Sequence, residues 1–329
     1  MKKANKVIPV ILAALLVSTS LAGCGTKDSG SKGDTFRIGV DQLVEHAALD
    51  AAYQGFVDAL EEAGYVDGEK ITIDYQNAQG DQANANTIAQ KLVNDNDDLI
   101  LAIATPASQA VANATKDIPI LVTAVTDPAG SGLVESNEAP GGNVSGTSDL
   151  TPVKEQIDLL KKLVPDAKKI AILYCSSEVN SKIQADMAIE AAAELGIKSE
   201  ETTVSNTNEI QQVVESLIGK VDAIYAPTDN VIAKAMPTVA QVANDNNLPV
   251  ICGEENMVEA GGLATYGIDY YELGKLTGKQ AVKIIEGTAT TAEMPIEYLS
   301  KDQCKLSINE EVAAQLGIEI PSDLAEDKE

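Results

Sequence analysis

The feature that most constrains the fold of this 329-residue chain is an internal echo. Val221-Asp222-Ala223-Ile224-Tyr225-Ala226-Pro227-Thr228-Asp229-Asn230 repeats the form of Asp98-Leu99-Ile100-Leu101-Ala102-Ile103-Ala104-Thr105-Pro106: an acidic residue, a short apolar run, then Thr and Pro before a segment of helical composition. That order reads as a buried strand whose carboxyl end turns into a helix N-terminus, carrying small polar side chains and free backbone N–H groups. A chain that builds this unit twice has the material for two facing turns, with a ligand site between them.

The surroundings of each copy repeat as well. In the first half, strand Phe36–Val40 is followed by the polar turn 41–46, a helix over 48–63 stopped by Gly64, a strand 71–75, a helix 83–94, the strand 99–104, a helix 106–115 and a strand 118–125. In the second, strand 169–174 leads to the polar turn 175–180, a helix 181–195 stopped by Gly196, a strand 199–204, a helix 208–218, the strand 221–225, a Pro237-interrupted helical stretch to Asn246 and a strand 249–252. Repeated β-α units predict an α/β fold with parallel sheets covered by helices on both faces. Two lobes are expected rather than one sheet, because about ten strands in a row would strain a twisted sheet. Asp127 to Ser148, with five Gly and two Pro, reads as loop and crossover. A further strand 263–268, helix 271–286 and extended segments over 294–308 remain after two complete lobes, so the chain is expected to cross back between them, with more than one hinge.

The N-terminus stands apart. Lys2, Lys3 and Lys6 precede an apolar run from Val7 to Val17, too short to span a bilayer, and Leu21-Ala22-Gly23-Cys24 is a small-residue cleavage site ending in cysteine. This is similar to a bacterial lipoprotein signal, which implies that residues 1–24 are a leader ending at a lipidated Cys24 and that 25–34, rich in Gly, Ser and Lys, form a flexible tether. The formal charge of −26 argues against nucleic acid or an anionic lipid surface as partner, so contact with a membrane is expected through the anchor only. Cys175, Cys252 and Cys304 remain; an odd, scattered set offers neither a disulfide framework nor metal spacing, and Cys175 and Cys252 read as buried small residues.

In an open parallel sheet, ligands lie outside the carboxyl ends of the strands. That rule selects the turns 42–46, 105–109 and 126–127 of the first lobe and 176–180, 228–230 and 253–255 of the second. Within them stand Glu45, Thr105, Ser108, Thr126, Asp127, Ser176, Ser177, Asn180, Asp229, Asn230 and Glu254. Hydroxyls with exposed N–H groups suit a carboxylate and acidic side chains suit an ammonium, so the mixed set fits a zwitterion such as an α-amino acid. About five charge-assisted bonds of roughly 1.5–3 kcal/mol each, less ordering costs, reach the ~8 kcal/mol of micromolar binding. The alternative for Thr105, Thr228 and Asp229 is plain helix capping. A sugar is disfavoured because the chain has no Trp and two Phe, both in element-forming positions; Tyr53, Tyr225, Tyr266, Tyr270 and Tyr271 could still offer a ring, with Tyr225, at a strand end, the first candidate for ligand contact. No Gly-x-Ser-x-Gly elbow accompanies the single histidine, His46, and there is no phosphate loop, dinucleotide fingerprint or zinc motif, so no cofactor, metal or catalytic residue is expected. A hydrolase working through Glu45, Asp127, Asp229 or Glu254 is the weaker reading.

Val44-Glu45-His46-Ala47-Ala48-Leu49-Asp50, Ala102-Ile103-Ala104-Thr105-Pro106-Ala107, Thr123-Ala124-Val125-Thr126-Asp127-Pro128, Pro140-Gly141-Gly142-Asn143-Val144-Ser145-Gly146, Tyr225 to Asn230 and Gly267-Ile268-Asp269-Tyr270-Tyr271 together resemble the substrate-binding lipoproteins of ABC importers, of the tryptophan/tyrosine type. The resemblance spans Phe36 to about Ile320. It implies the type I periplasmic-binding fold: two Rossmann-like lobes joined by three hinge crossovers, with 35–147 plus 269–294 in the first lobe, 148–268 plus 295–321 in the second, and 322–329 as an acidic tail. It further implies a monomer that captures an aromatic amino acid (tryptophan, tyrosine or phenylalanine) between the lobes and delivers it to an ABC permease and its ATPase. Thr105, Ser108 and Thr126 then face the ligand carboxylate, and Asp229 and Glu254 the ammonium. A surface sensor or adhesin, and a binder of a nucleoside or sugar, are the alternatives.

Overall fold

The computed structural model describes residues 35–326; the expected leader, Cys24 and the tether lie outside the described residues. The first half runs β1 (Phe36–Gln42), α1 (Ala47–Glu62), β2 (Ile71–Asn77), α2 (Gln82–Asn94), β3 (Leu99–Ile103), α3 (Thr105–Ala114), β4 (Ile120–Val125) and β5 (Val144–Ser148). The chain then enters a second unit: α4 (Val153–Leu163), β6 (Lys169–Cys175), α5 (Val179–Glu194), β7 (Lys198–Val204), α6 (Ile210–Leu217), β8 (Ala223–Ala226), α7 (Asn230–Lys234), α8 (Met236–Asp245), β9 (Val250–Cys252), α9 (Glu255–Glu259) and β10 (Ala264–Gly267). It closes with α10 (Tyr270–Ile285), β11 (Glu297–Tyr298), β12 (Lys305–Ile308), α11 (Glu310–Leu316) and α12 (Ser322–Glu326).

There are two sheets. One has the order β11-β5-β4-β3-β1-β2, with every pair parallel; the other has β12-β10-β9-β8-β6-β7, parallel except for the antiparallel β10–β12 pair. The echo seen in the sequence is therefore β3 and β8, each third in its lobe's chain order and each beside the lobe's opening strand. Both faces of the central strands are covered. Leu99, Leu101 and Ile103 of β3 pack with α1 and α10, whereas Ile100 and Ala102 pack with α2 and α3. A two-sided burial of this kind is why the strand reads as an unbroken apolar run rather than as an alternation.

The chain passes between lobes at 149–152, 268–269 and 299–304. The second passage is fastened by close packing of α10 on α1. A Cβ on Gly274 would meet Ala52 O at 1.9 Å, one on Gly55 would meet Tyr271 O at 2.0 Å, and one on Gly278 would meet Ala59 Cβ at 2.6 Å. The two helix backbones thus approach through a small-residue seam that holds α10 on the first sheet.

Three expectations are corrected. The stretch 127–148 is not all loop: Val144–Ser148 is a fully buried strand. Its glycine signal had another cause, since Gly146 has φ +139° and a Cβ there would lie 2.1 Å from Val122 O, so the glycine lets β5 lie against the bulge of β4. Glu297–Tyr298, expected in the second lobe, joins the first sheet beside β5. The segment from 322, expected to be a tail, carries α12, and its Leu324 is wholly buried in the second-lobe core. Cys175 and Cys252 are buried and, like Cys304, free.

Candidate functional site

The carboxyl ends of β3 and β4 are shaped by strained backbone. Ala104, just before Thr105, has φ +79° and ψ +154°, and Ala124, two residues before Thr126, has φ +55° within the bulge of β4. Residues with a Cβ held in these regions cost about 1–3 kcal/mol each and persist where the surroundings enforce them, characteristically at binding sites. Here the strain turns the backbone so that Thr105 opens α3 and Thr126 ends in the seam between lobes. Thr105 is buried and its hydroxyl has no partner, so it is not the cap of its helix. Ser108 is buried too, and its hydroxyl donates to Ala104 O at 2.9 Å.

From the second lobe, α5 enters the same seam. Gln184 Nε2 donates to Thr126 Oγ1 at 3.3 Å and to Thr228 O at 3.0 Å, while Gln184 Oε1 accepts the Thr228 hydroxyl at 2.7 Å. One turn earlier, Asn180 Nδ2 donates to Glu178 Oε2 at 3.2 Å, and Asn180 Oδ1 is buried without a partner. At the mouth, His46 Nε2 stands 3.3 Å from Asn230 Oδ1. The lobes therefore touch through polar side chains, in a closed arrangement.

The floor of the seam is made by the crossovers. Tyr270 OH, at the start of α10, donates to Asp149 Oδ2 at 2.8 Å, tying the second passage to the first. The other carboxylate oxygen of Asp149 is buried and unpartnered. Burial raises the Asp149 carboxyl above the ordinary range, against the lowering effect of the Tyr270 and Thr126 hydroxyls. Glu254 is likewise pushed up to about 8, by burial first and by the nearby Asp149 charge among lesser causes. Glu178 is raised to about 8 by burial and by the Asp229 carboxylate beside it. Asp41, near the end of β1, is wholly buried with both carboxylate oxygens unpartnered, and burial raises it to about 8.

Among the residues expected from sequence, Thr126 and Asn230 make contacts across the lobes, Asn180 lies one turn before Gln184, and Thr105 is buried at the head of α3. Asp229 does not offer a free carboxylate. Its Oδ1 accepts from Ile232 N at 2.8 Å, capping α7, and its Oδ2 accepts from Cys175 N at 2.6 Å and the Ser181 hydroxyl at 2.7 Å. Capping is what this aspartate does. Glu254 caps α9 through Asn256 N at 2.7 Å. Tyr225 lies wholly in the second-lobe core with its hydroxyl donating to Gln156 Oε1 at 2.7 Å, because its ring points from β8 into the α4–α5 layer. Glu45, Ser176 and Ser177 are exposed; Ser177 Oγ sits 3.2 Å from Cys175 Sγ and Ser176 Oγ donates weakly to Val204 O. Asp127 is half-buried and accepts from Asn137 Nδ2 at 3.1 Å within its own loop.

Asp149, Gln184, Glu178 and Asp41 were not foreseen, and Tyr270, expected only as a possible ring, contributes its hydroxyl to Asp149. Asp149 alone carried a readable signal: an acidic residue in a segment where the chain changes lobes. Gln184 and Glu178 sit on or before a helix whose sequence shows only its apolar stripe. Among the described residues no group of three or more His, Cys, Asp or Glu side chains is placed to hold a metal, and no helix is long and apolar enough to cross a membrane.

The known proteins most relevant to this geometry are of one kind. Residues 37–328 match the family model described as ABC transporter substrate binding protein. A tyrosine-binding protein of Clostridioides difficile (strain R20291) is 45% identical over 97% of this chain and 94% of its own. The solved ABC domain in complex with L-Trp from Streptococcus pneumonia is 42% identical, covers 89% of this chain and 98% of the other, and has a TM-score of 0.85. A ligand-free, open substrate binding protein with adhesive properties from Clostridium difficile is 49% identical, with 89% and 97% covered, yet its TM-score is 0.67. The present chain superposes better on the relative solved with L-Trp than on the one described as ligand-free and open.

Proposed function

The chain belongs to the ABC transporter substrate-binding protein family, and from that premise we propose that it is an extracytoplasmic receptor for an aromatic α-amino acid, which it encloses between two lobes and hands to a membrane permease driven by an ATPase. The observation that carries this reading is a set of buried polar atoms left without partners, the Thr105 hydroxyl at the head of α3, Asn180 Oδ1 at the head of α5 and Asp149 Oδ1 in the first passage between the lobes, which we take to face one seam. Buried polar atoms are normally satisfied, so a set of orphans at one seam is the imprint of a polar guest. A hydroxyl donor beside a helix N-terminus suits a carboxylate, and two acceptors suit an ammonium. Thr105, with Ser108 beside it, therefore takes the ligand carboxylate. Asp149, supported by Tyr270, takes the ammonium in place of Asp229, and Thr126 joins the two groups.

The relatives support the side-chain class, since one is a tyrosine-binding protein and another is solved with L-Trp. Closure follows if the ligand interacts more favourably with the closed lobes than with the open ones. In this reading the protein acts as a monomer without catalysis, held to the extracytoplasmic face of the bacterial cell membrane by a lipid on Cys24, with residues 25–34 as its tether.

The test uses protein lacking residues 1–24. Because the chain contains no Trp, emission from added L-Trp reports the ligand directly. We expect saturable L-Trp or L-Tyr binding and a raised melting temperature with aromatic amino acids. Stabilisation by a sugar or nucleoside, with none by any amino acid, would discard the ligand class. A second reading, a surface adhesin, is favoured by one observation, the adhesive properties of the 49% identical relative; loss of cell adhesion on deletion, with amino-acid uptake intact, would support it instead.

A further inference from the structure

His46 is the one histidine of the chain, and the ligand site as described makes no use of it. It sits in the turn between β1 and α1 of the first lobe, where its side chain makes no cap bond to its own helix. Its ring reaches the other lobe: Nε2 lies 3.3 Å from Asn230 Oδ1, at the head of α7. The orientation of the Asn230 amide is set from behind. Asn230 Nδ2 donates to Glu178 Oε2 at 2.6 Å, and the Asn230 backbone N–H donates to the same oxygen at 3.3 Å. With the amide nitrogen committed to a carboxyl oxygen, the atom facing His46 is the carbonyl oxygen, an acceptor only. The histidine must then present Nε2–H.

The relay continues inward. Glu178 Oε2 also receives Asn180 Nδ2 at 3.2 Å, and Asn180 Oδ1, turned the other way, is buried with no protein partner. One row of side chains thus runs from the mouth of the cleft to an empty acceptor in its interior. Asn230 donates to Glu178, and Asn180 Nδ2 donates to Glu178 and lies 3.3 Å from Ser181 Oγ and 3.5 Å from Thr228 O.

We propose that His46 is a positioning residue for closure: its Nε2–H latches the first lobe to the Asn230–Glu178–Asn180 relay, and a ligand N–H or O–H donated to Asn180 Oδ1 sets the relay that holds the latch. The inference rests on the reading of the protein as a closing receptor and adds the residue that keeps it closed. An amide has two ends, so filling Asn180 Oδ1 turns Asn180 Nδ2 toward the acceptors on its other side, of which Glu178 Oε2 at 3.2 Å is the nearest, and Glu178 in turn holds the Asn230 amide in the acceptor-outward orientation. Ligand occupancy and lobe contact are then linked through three side chains, without any ligand contact to His46. The charged groups around the ring are Lys234 on α7, Glu178 one amide away at the head of α5, and the adjacent exposed Glu45; burial first and Lys234 second keep the imidazole neutral, lowered to about 4, against the raising effect of the Asn230 bond.

The experiment compares the protein lacking residues 1–24 with His46→Ala, His46→Gln and Asn230→Ala, using L-Trp and L-Tyr as probes. One lost hydrogen bond at a closed interface predicts a dissociation rate raised about 3- to 10-fold in His46→Ala and Asn230→Ala, with the association rate nearly unchanged. Gln places an N–H at similar reach, so His46→Gln should return the rate to within about twofold of the parent, which a merely structural role would not produce. The unliganded melting temperature should be the same in parent and His46→Ala. The ring nitrogens of the single histidine supply a second readout: with ligand, a neutral Nε2–H form that resists protonation down to about pH 5, well below the ordinary value of about 6.5. An unchanged dissociation rate in His46→Ala, or failure of Gln to rescue it, overturns the latch. Should the parent bind neither probe, the ligand reading falls and the ligand-set latch falls with it, an outcome distinct from a parent that binds while His46→Ala releases ligand at the parental rate.

Discussion

Gln184 on α5 holds Thr126 of the opposite lobe at 3.3 Å from Nε2 while its own oxygen is occupied by the Thr228 hydroxyl at 2.7 Å, so one amide reads both sides of the cleft. Replacing Thr126 by Val keeps the shape and removes the acceptor. Gln184 retains Thr228 O, so no buried donor is stranded in the second lobe. Thr126→Val is therefore expected to weaken aromatic amino-acid binding about 10-fold, with little change in the unliganded melting temperature. Titration of tryptophan emission and a thermal melt give both numbers; an equal loss of stability and affinity would make Thr126 a packing residue.

Asp229 and Asp149 make the contrasting pair. Asp229 satisfies Ile232 N, Cys175 N and Ser181 Oγ, all within one lobe, so Asp229→Ala should cost about 2–4 kcal/mol of stability with no ligand present. Asp149→Asn keeps the volume and an oxygen acceptor for the Tyr270 hydroxyl but removes the charge available to an ammonium. It should fold normally and lose most affinity for an amino acid. Chemical denaturation and ligand titration on the two variants would reverse the assignment if Asp149→Asn unfolds and Asp229→Ala only fails to bind.

Stability should fall as pH rises from about 4 to about 8. Asp41, Glu178 and Glu254 titrate near 8 in the fold, raised by burial, and near 4 in the unfolded chain. Between those values the folded chain binds more protons than the unfolded one, so the slope of unfolding free energy against pH is negative. The fold is favoured most below the unfolded values, and the contribution is lost as pH passes through 8. Denaturation midpoints for the unliganded protein at pH 5, 6.5 and 8 should decline in that order, and Asp41→Asn, which cannot ionise, should flatten the decline. A rising midpoint would contradict the burial of these acids.

The α1–α10 seam carries a mechanical prediction. A methyl at Gly274 would stand 1.9 Å from Ala52 O, and backbone cannot swing aside as a side-chain tip can. Gly274→Ala should lower stability by about 1–3 kcal/mol, the usual cost of overpacking. Gly287, whose surroundings are open, has a left-handed φ of +65° and serves as a poor control, whereas Gly142 has open space and no such constraint. Gly142→Ala should therefore be nearly neutral in the same melt.

How much of this was legible depends on whether the determinant is local. The repeated β-α order could be read because buried parallel strands and amphipathic helices write their burial into adjacent residues; β3 and β8 were recognisable from Leu99–Ala104 and Val221–Tyr225 alone. The β5 strand was not, because its glycine answers to the bulge of a neighbouring strand, a relation between residues 122 and 146. The same holds at the site. Thr105 and Thr126 were selected because strand ends have a fixed place in such sheets. Asp149, Gln184 and His46 were missed as site residues because each acts through a partner more than 30 residues away. Asp229 was selected by the same strand-end rule that found Thr105, but a carboxylate followed by free helix N–H groups is taken up locally before any ligand arrives.

Thr105 offers the sharpest separation of binding from folding, because the two effects have opposite sign. Its hydroxyl is buried, lacks a partner and follows a strained Ala104. In the unliganded protein that hydroxyl is a cost, since a polar group taken from water without a hydrogen bond loses about 1–3 kcal/mol by mutational measure. If Thr105 takes the ligand carboxylate as proposed, the same hydroxyl becomes an asset in the complex, donating at the N-terminus of α3. Thr105→Val should therefore leave the unliganded melting temperature unchanged or raise it, while weakening L-Trp or L-Tyr binding at least 10-fold. Ser at the same position keeps the hydroxyl and should bind within a few-fold of the parent. Parallel losses of stability and affinity in Thr105→Val would mean that the hydroxyl already has a partner when the cleft is empty, and the reading of the orphaned atoms as a ligand imprint would fail with it.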